Sequence, residues 1–267
     1  FELLFPVLVA LSDFEEAYRD LFPDAGRLDV YELLAGLPNK TLEANLDLWR
    51  LGRLAAHSPV LHEVLRTAEP SALGAALVQT AEGAPLWAEI QTHLRKYGER
   101  NDDLYIDKPT WIDEPTPVLR SLREVALSPE RDLAAELHQK ALRRQTRLAE
   151  VRGRIASHPI AVVEEFEALL EAAQVATVLS EDHHFWLDCK ITYHARRIAL
   201  ETGKRLTAIG LIPDPADVFR LSLAELALLG SDPDRHSAEI RRALDERHAD
   251  AARFAGVKPP PLLGVPR

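Results

Sequence analysis

Glu181-Asp182-His183-His184-Phe185-Trp186-Leu187-Asp188-Cys189 lies inside a pattern of helical spacing that begins after Pro159, passes through Leu170 and Leu179, and continues to Lys204 or beyond, with a break expected near Ser180. A run this long, with apolar residues recurring three and four apart, is read as helix rather than strand. The quoted stretch also gathers more proton-handling side chains than any other part of the chain. An α-helix turns about 100° per residue, so His184 and Asp188 share a face one turn apart, and Glu181, three positions before His184, joins them. A carboxylate beside a histidine holds the imidazole in one tautomer and raises its basicity, which suits a group that takes a proton from a hydroxyl. His183 is expected to face elsewhere, with Leu187, Ile191 and His194. His183 and His194 are aligned but roughly 16 Å apart along the axis, too far to share a metal directly. The competing reading is that these are ordinary helix-surface or packing histidines, because clustered titratable groups point to function only statistically.

Outward from this stretch the same spacing continues in both directions. Towards the N-terminus, helical segments are expected over 8–21, 28–34, 42–56 (with Thr41 as cap), from about Val60 to Thr67, from Pro70 to near Gly83, and over 86–97. Glu99 to Pro117 breaks the pattern with four Asp, an Asn, three Pro and Trp111, and is read as a structured loop of the kind that often carries function. A very polar helix is expected to start at Pro129 and run over 131–157. Towards the C-terminus, Pro213-Asp214-Pro215 ends the long run. A short extended piece at Asp217–Leu221 then leads into a helix capped by Ser222, with Glu225 at the capping-box position. A charged helix over 234–254 and a stiff Pro259-Pro260-Pro261 exit complete the chain. No alternating segment is longer than a few residues. The expectation is therefore an all-α protein of roughly nine to eleven helices with no substantial sheet. It forms one helical domain over 1–267, with a division into two helical subdomains allowed near 128.

Composition excludes several classes. The 267 residues are 46% hydrophobic and 28% charged, as in a soluble globular protein. No apolar run is long enough to cross a bilayer, so no membrane partner is expected. The net charge of -10 argues against nucleic acid as the main partner. Cys189 is the only cysteine, which rules out an intrachain disulfide and a thiolate zinc site and makes a reducing cytoplasm the default location. The chain contains no Met and begins at Phe1, so it is expected to be a piece of a longer protein. There is no glycine-rich phosphate loop, no nucleophile elbow and no His-Glu-x-x-His, and Glu181–His184 is a Glu-x-x-His without a second copy. No metal site is expected, nor any means of binding ATP within this chain.

Leu33-Leu34-Ala35-Gly36-Leu37-Pro38-Asn39-Lys40-Thr41-Leu42-Glu43, followed by Leu48-Trp49, resembles the Leu-Leu-x-Gly-Leu-Pro-x-Asn-x-Thr-x-Glu segment of phosphoenolpyruvate-synthase-like enzymes. Tyr97-Gly98-Glu99-Arg100 and Pro109-Thr110-Trp111-Ile112-Asp113-Glu114-Pro115 are similar to their Tyr-Gly-x-Arg and Pro-x-Trp blocks. Asp217-Val218-Phe219-Arg220-Leu221-Ser222 and Glu225-Leu226 resemble their Asp-Val-Phe segment. With the helix of His184, these blocks stand in family order over most of the chain. The family, which includes rifampin phosphotransferases, joins an ATP-grasp domain, a helical acceptor-binding domain and a swivelling domain whose histidine carries the phosphoryl group. The resemblance covers only the helical middle part.

It implies a helical domain that presents a small hydroxylated molecule to a phosphohistidine. ATP and Mg are implied for the missing domains, and no cofactor is implied here. His184, oriented by Asp188 or Glu181, is the expected base, and His183 serves from the neighbouring face. Arg100 and Arg197 are expected to neutralise the phosphoryl oxygens, and Trp111 and Trp186 to wall the apolar part of the acceptor. Two other readings stand beside this one: a dehydratase that phosphorylates a hydroxyl and then eliminates the phosphate, as in natural-product pathways, and a non-catalytic helical scaffold.

Overall fold

A computed structural model describes residues 4–103, 105–128 and 130–258, and among these every regular element is helical. The described residues form two compact units, one of 4–103 with 108–191 and the other of 105–107 with 192–258. The sequence reading allowed two helical subdomains split near 128; the described residues divide after Ile191. Residue 128 lies between two helices of the first unit that both pack on the same third helix.

The first unit contains α1 (Leu4–Leu21), α2 (Asp29–Glu32), α3 (Lys40–Ala56), α4 (Pro59–Thr67), α5 (Leu73–Val78), α6 (Gly83–Tyr97), α7 (Thr116–Leu127), α8 (Leu133–Ile155) and α9 (Ile160–His183). It has two main apolar centres. In one, α1 lies along α9 and the rings of Phe14, Tyr18 and Phe166 meet, with Phe14 5.7 Å from Phe166 and 6.4 Å from Tyr18. In the other, Leu51, Leu65, Leu77, Ile90 and Leu122 join α3 to α7. A buried leucine or phenylalanine contributes about 1.5–3 kcal/mol relative to exposure, so these two clusters hold the unit.

α7 was not expected as a helix, because the irregular stretch was carried through to Pro117 and the next helix was placed only from Pro129. Pro117 stands in the first turn of α7, where its missing N–H has no helical partner to lose. Val118, Leu119, Leu122 and Ala126 then bury one face against α3. Asn39, not Thr41, caps α3, its side chain accepting from Leu42 N–H at 2.8 Å. Asn39→Ala is expected to cost about 1 kcal/mol and Thr41→Ala much less; denaturant melts of the two variants check this, and the reverse order would return the cap to Thr41.

The second unit contains most of α10 (Lys190–Ala208), together with α11 (Leu223–Ser231) and α12 (Pro233–Phe254). Leu211, Ile212, Leu221, Leu229, Ile240 and Leu244 form its core. Ser222 and Glu225 make both arms of the expected capping box. The piece before it is not extended. Pro215–Arg220 is a 3₁₀ turn capped by Asp214, whose side chain accepts from Ala216 N–H. Pro129, the Pro259-Pro260-Pro261 exit and the first three residues lie outside the described residues. Among the described residues no helix is long and apolar enough to cross a membrane.

Candidate functional site

The long helical run does not break near Ser180. α9 continues to His183, passes into one π-helical segment at His184–Cys189, and resumes as α10. A π turn closes on i→i+5 rather than i→i+4, and such turns are frequent at functional sites. This wider turn decides which side chains meet. His184 Nδ1 lies 3.5 Å from Asp188 Oδ2, as four-residue spacing requires, and His183 Nδ1 lies 3.6 Å from the same oxygen. In a regular helix His183 would point about 100° away from His184. The expectation that His183 faces elsewhere is therefore corrected: the added backbone length brings both imidazoles onto one carboxylate.

Phe185 and Cys189 anchor the turn by their burial. Phe185 packs with Ala44 and edge-on to Tyr97, 6.3 Å between ring centroids. Cys189 Sγ is 3.6 Å from His184 Nε2. Burial pushes the Cys189 thiol up, and the Arg100 guanidinium opposes that shift, so the thiol is a packing group rather than a thiolate nucleophile. His183 is 19% exposed and His184 39%. The pair is accessible enough to meet a substrate and enclosed enough to be held in place.

α3 supplies the wall beside the turn. Lys40 N–H at its first turn donates to Asp182 Oδ1 at 2.7 Å, tying the end of α9 to the start of α3 across 142 residues of sequence. Glu43, one turn further, accepts from Lys40 Nζ at 2.6 Å, Lys96 Nζ at 2.7 Å and Tyr97 Oη at 2.9 Å. These bonds, Lys40 first, hold its carboxyl down at about 2, from an ordinary 4.5. A carboxyl lowered in the folded state stabilises the fold above its unfolded value, and that contribution is lost as pH falls from about 4.5 through about 2. Glu43 is 40% exposed, so the contribution is screened and small. Glu43→Gln is expected to lose less stability than the parent between pH 4.5 and 2; parallel stability curves over that range would count against the bond set.

His93 extends the wall. It is 2% exposed, lies 4.9 Å from the Tyr97 ring, and places Nδ1 2.8 Å from Asp47 Oδ2. Burial lowers its pKa and Asp47 opposes that, as expected of a satisfied interior histidine.

The other expected residues separate. Trp186 is 49% exposed, edge-on to Phe185, with Lys190 Nζ 5.0 Å and Lys40 Nζ 5.8 Å from its ring. Lys190 also pairs with Glu99 at 3.0 Å. Arg100 stacks on Trp111, 4.3 Å from the ring, and burial lowers its pKa. Trp111 packs against the α3–α7 core, so the two tryptophans do different work. Arg197 belongs to the second unit, where it is exposed beside the Tyr193 ring. Glu181 is exposed, and the carboxylate that reaches the histidines is Asp188. Sequence reasoning assigned no role to Lys40, Glu43, Lys96 or Lys190. The one available signal was that Lys40 and Glu43 fall inside a block already singled out.

Comparison with known proteins adds an independent line. A family model described as the rifampicin phosphotransferase fourth domain matches residues 8–181. Over its whole length the chain is 42% identical to part of a chondramide synthase from Chondromyces crocatus and 23% identical to part of an uncharacterized phosphotransferase, YvkC, from Bacillus subtilis (strain 168). It spans 7% of the length of the first and 31% of the second.

Proposed function

Because the chain belongs to the family of the rifampicin phosphotransferase fourth domain, we propose that it is the acceptor-binding domain of an ATP-dependent phosphotransferase that phosphorylates a hydroxyl of a small molecule. The observation that carries this reading is the pair of imidazoles drawn onto Asp188 by the π turn. A hydroxyl attacks phosphorus well only as its proton leaves. His183 or His184 accepts that proton, and Asp188 stabilises the imidazolium that forms. As the new P–O bond forms, the P–N bond of the phosphohistidine on the carrier domain breaks, and its electron pair returns to the carrier's imidazole nitrogen. Trp186 walls the acceptor, and the ammonium groups of Lys40 and Lys190 beside it favour the negative phosphoryl oxygens. The 42% identity to a region inside a synthase supports a natural-product hydroxyl as the acceptor.

The test is phosphoryl transfer by the complete protein to a panel of hydroxylated small molecules, with and without the two histidines. A phosphoester product that disappears with the histidines supports the reading. Release of water and phosphate, leaving a new double bond, would replace it with the dehydratase. Transfer that ignores both histidines would overturn the assignment of the base.

A further inference from the structure

α8 is 23 residues long, yet its only buried residues are Val151 and Ile155 in its last turns. Its first half is only partly buried, with Lys140 beside Gly36 and Arg144 donating to the Ala35 carbonyl at 2.6 Å. Beneath it lies a cavity of about 450 Å³ whose apolar walls are Pro38, Leu42, Leu46 and, from α8, Leu137. The size falls within the range of small-molecule sites. Asn39, Lys40, Glu43 and Asp182 make its polar end. Three of these are already engaged: Asn39 caps α3, Glu43 accepts from three donors, and Asp182 accepts from Lys40 N–H. The Lys40 ammonium has three donors and gives one to Glu43. The cavity thus offers a largely apolar, half-open recess with a cation at one end. That end adjoins the π turn, since Asp182 precedes His183 and Lys40 lies over the Trp186 ring.

We propose that this cavity binds a small, largely apolar hydroxy compound, with its oxygen at Lys40, and that it holds the phosphate ester of the same compound more tightly. The reaction assigned to the site rests on the function proposed above; the binding does not. Apolar walls favour a ring or short chain without charge, because an unpaired polar group buried there is costly. Lys40, reinforced by Lys190 over the same Trp186 ring, favours the ester because charge-assisted bonds are the stronger ones.

The test uses the complete protein and three probes: phenol, phenyl phosphate and inorganic phosphate, titrated by calorimetry. Leu137→Trp fills the cavity from the first half of α8, where no residue is buried, so the fold is expected to survive, and circular dichroism checks that it does. It should raise Kd for both phenol and phenyl phosphate at least tenfold. Lys40→Gln should raise Kd for phenyl phosphate about tenfold and leave phenol within about threefold. Inorganic phosphate should bind weakly and not respond to Leu137→Trp. Unchanged binding of both aromatic probes to Leu137→Trp would overturn the proposal. So would a loss that follows Ser121→Trp, in the separate cavity lined by Trp49 and Arg131, instead of Leu137→Trp. If the histidine variants bind the probes normally and keep turnover, the base assignment fails while the cavity stands.

Discussion

Replacing His183 and His184 together by alanine in the complete protein is expected to lower acceptor-dependent turnover by roughly 10²–10⁴-fold, the usual contribution of a general base. Either single replacement should cost far less. Both imidazoles stand within 3.6 Å of the same Asp188 oxygen, so the remaining one keeps the carboxylate partner and its place at the turn. Asp188→Asn should resemble the double variant more than either single one, because it removes the charge that both rings share. All four variants should melt near the parent temperature, since these side chains are part-exposed and no large core volume goes with them. Full activity in the double variant would remove the chemistry from this turn. A total loss in one single variant alone would name that histidine as the base and leave the other as a support.

Gly203→Ala is expected to destabilise the second unit by about 3 kcal/mol, the upper part of the range for overpacking. The sign runs against local propensity, since alanine is favoured over glycine in a helix interior by about 1 kcal/mol. A Cβ at Gly203 would stand 2.0 Å from the backbone oxygen of Pro215, and a backbone oxygen cannot swing aside as a side chain can. Gly203 is the point where α10 meets the 3₁₀ turn before α11. Amide hydrogen exchange over residues 192–258 reads the effect: protection should fall throughout that unit and hold in α1, α3 and α9. Equal or greater protection in Gly203→Ala would refute the close contact.

The helices were legible because helical periodicity is a local property. Val118, Leu119, Leu122 and Ala126 carry the signal for α7 as clearly as the residues of α6 do, and only the weight given to Pro117 hid it. The capping box at Ser222 and Glu225 could be read for the same reason: both partners lie within three residues of each other. The α3 cap was misplaced by two residues, since Asn39 and Thr41 are both competent caps and only the backbone path selects between them.

The sequence by itself determined that the chain is helical, that Asp188 and His184 share a face, and that the histidine stretch is its chemically densest segment. Tertiary structure decided the rest. Whether His184–Cys189 continues as α-helix or widens into a π turn depends on burying Phe185 against Ala44 and Tyr97, contacts made with other helices. That burial turned His183 onto Asp188 and Trp186 towards Lys40 and Lys190. The bond from Lys40 N–H to Asp182 spans 142 residues, and no periodicity records it: spacing along a chain specifies which face a side chain occupies, and only packing specifies what that face meets.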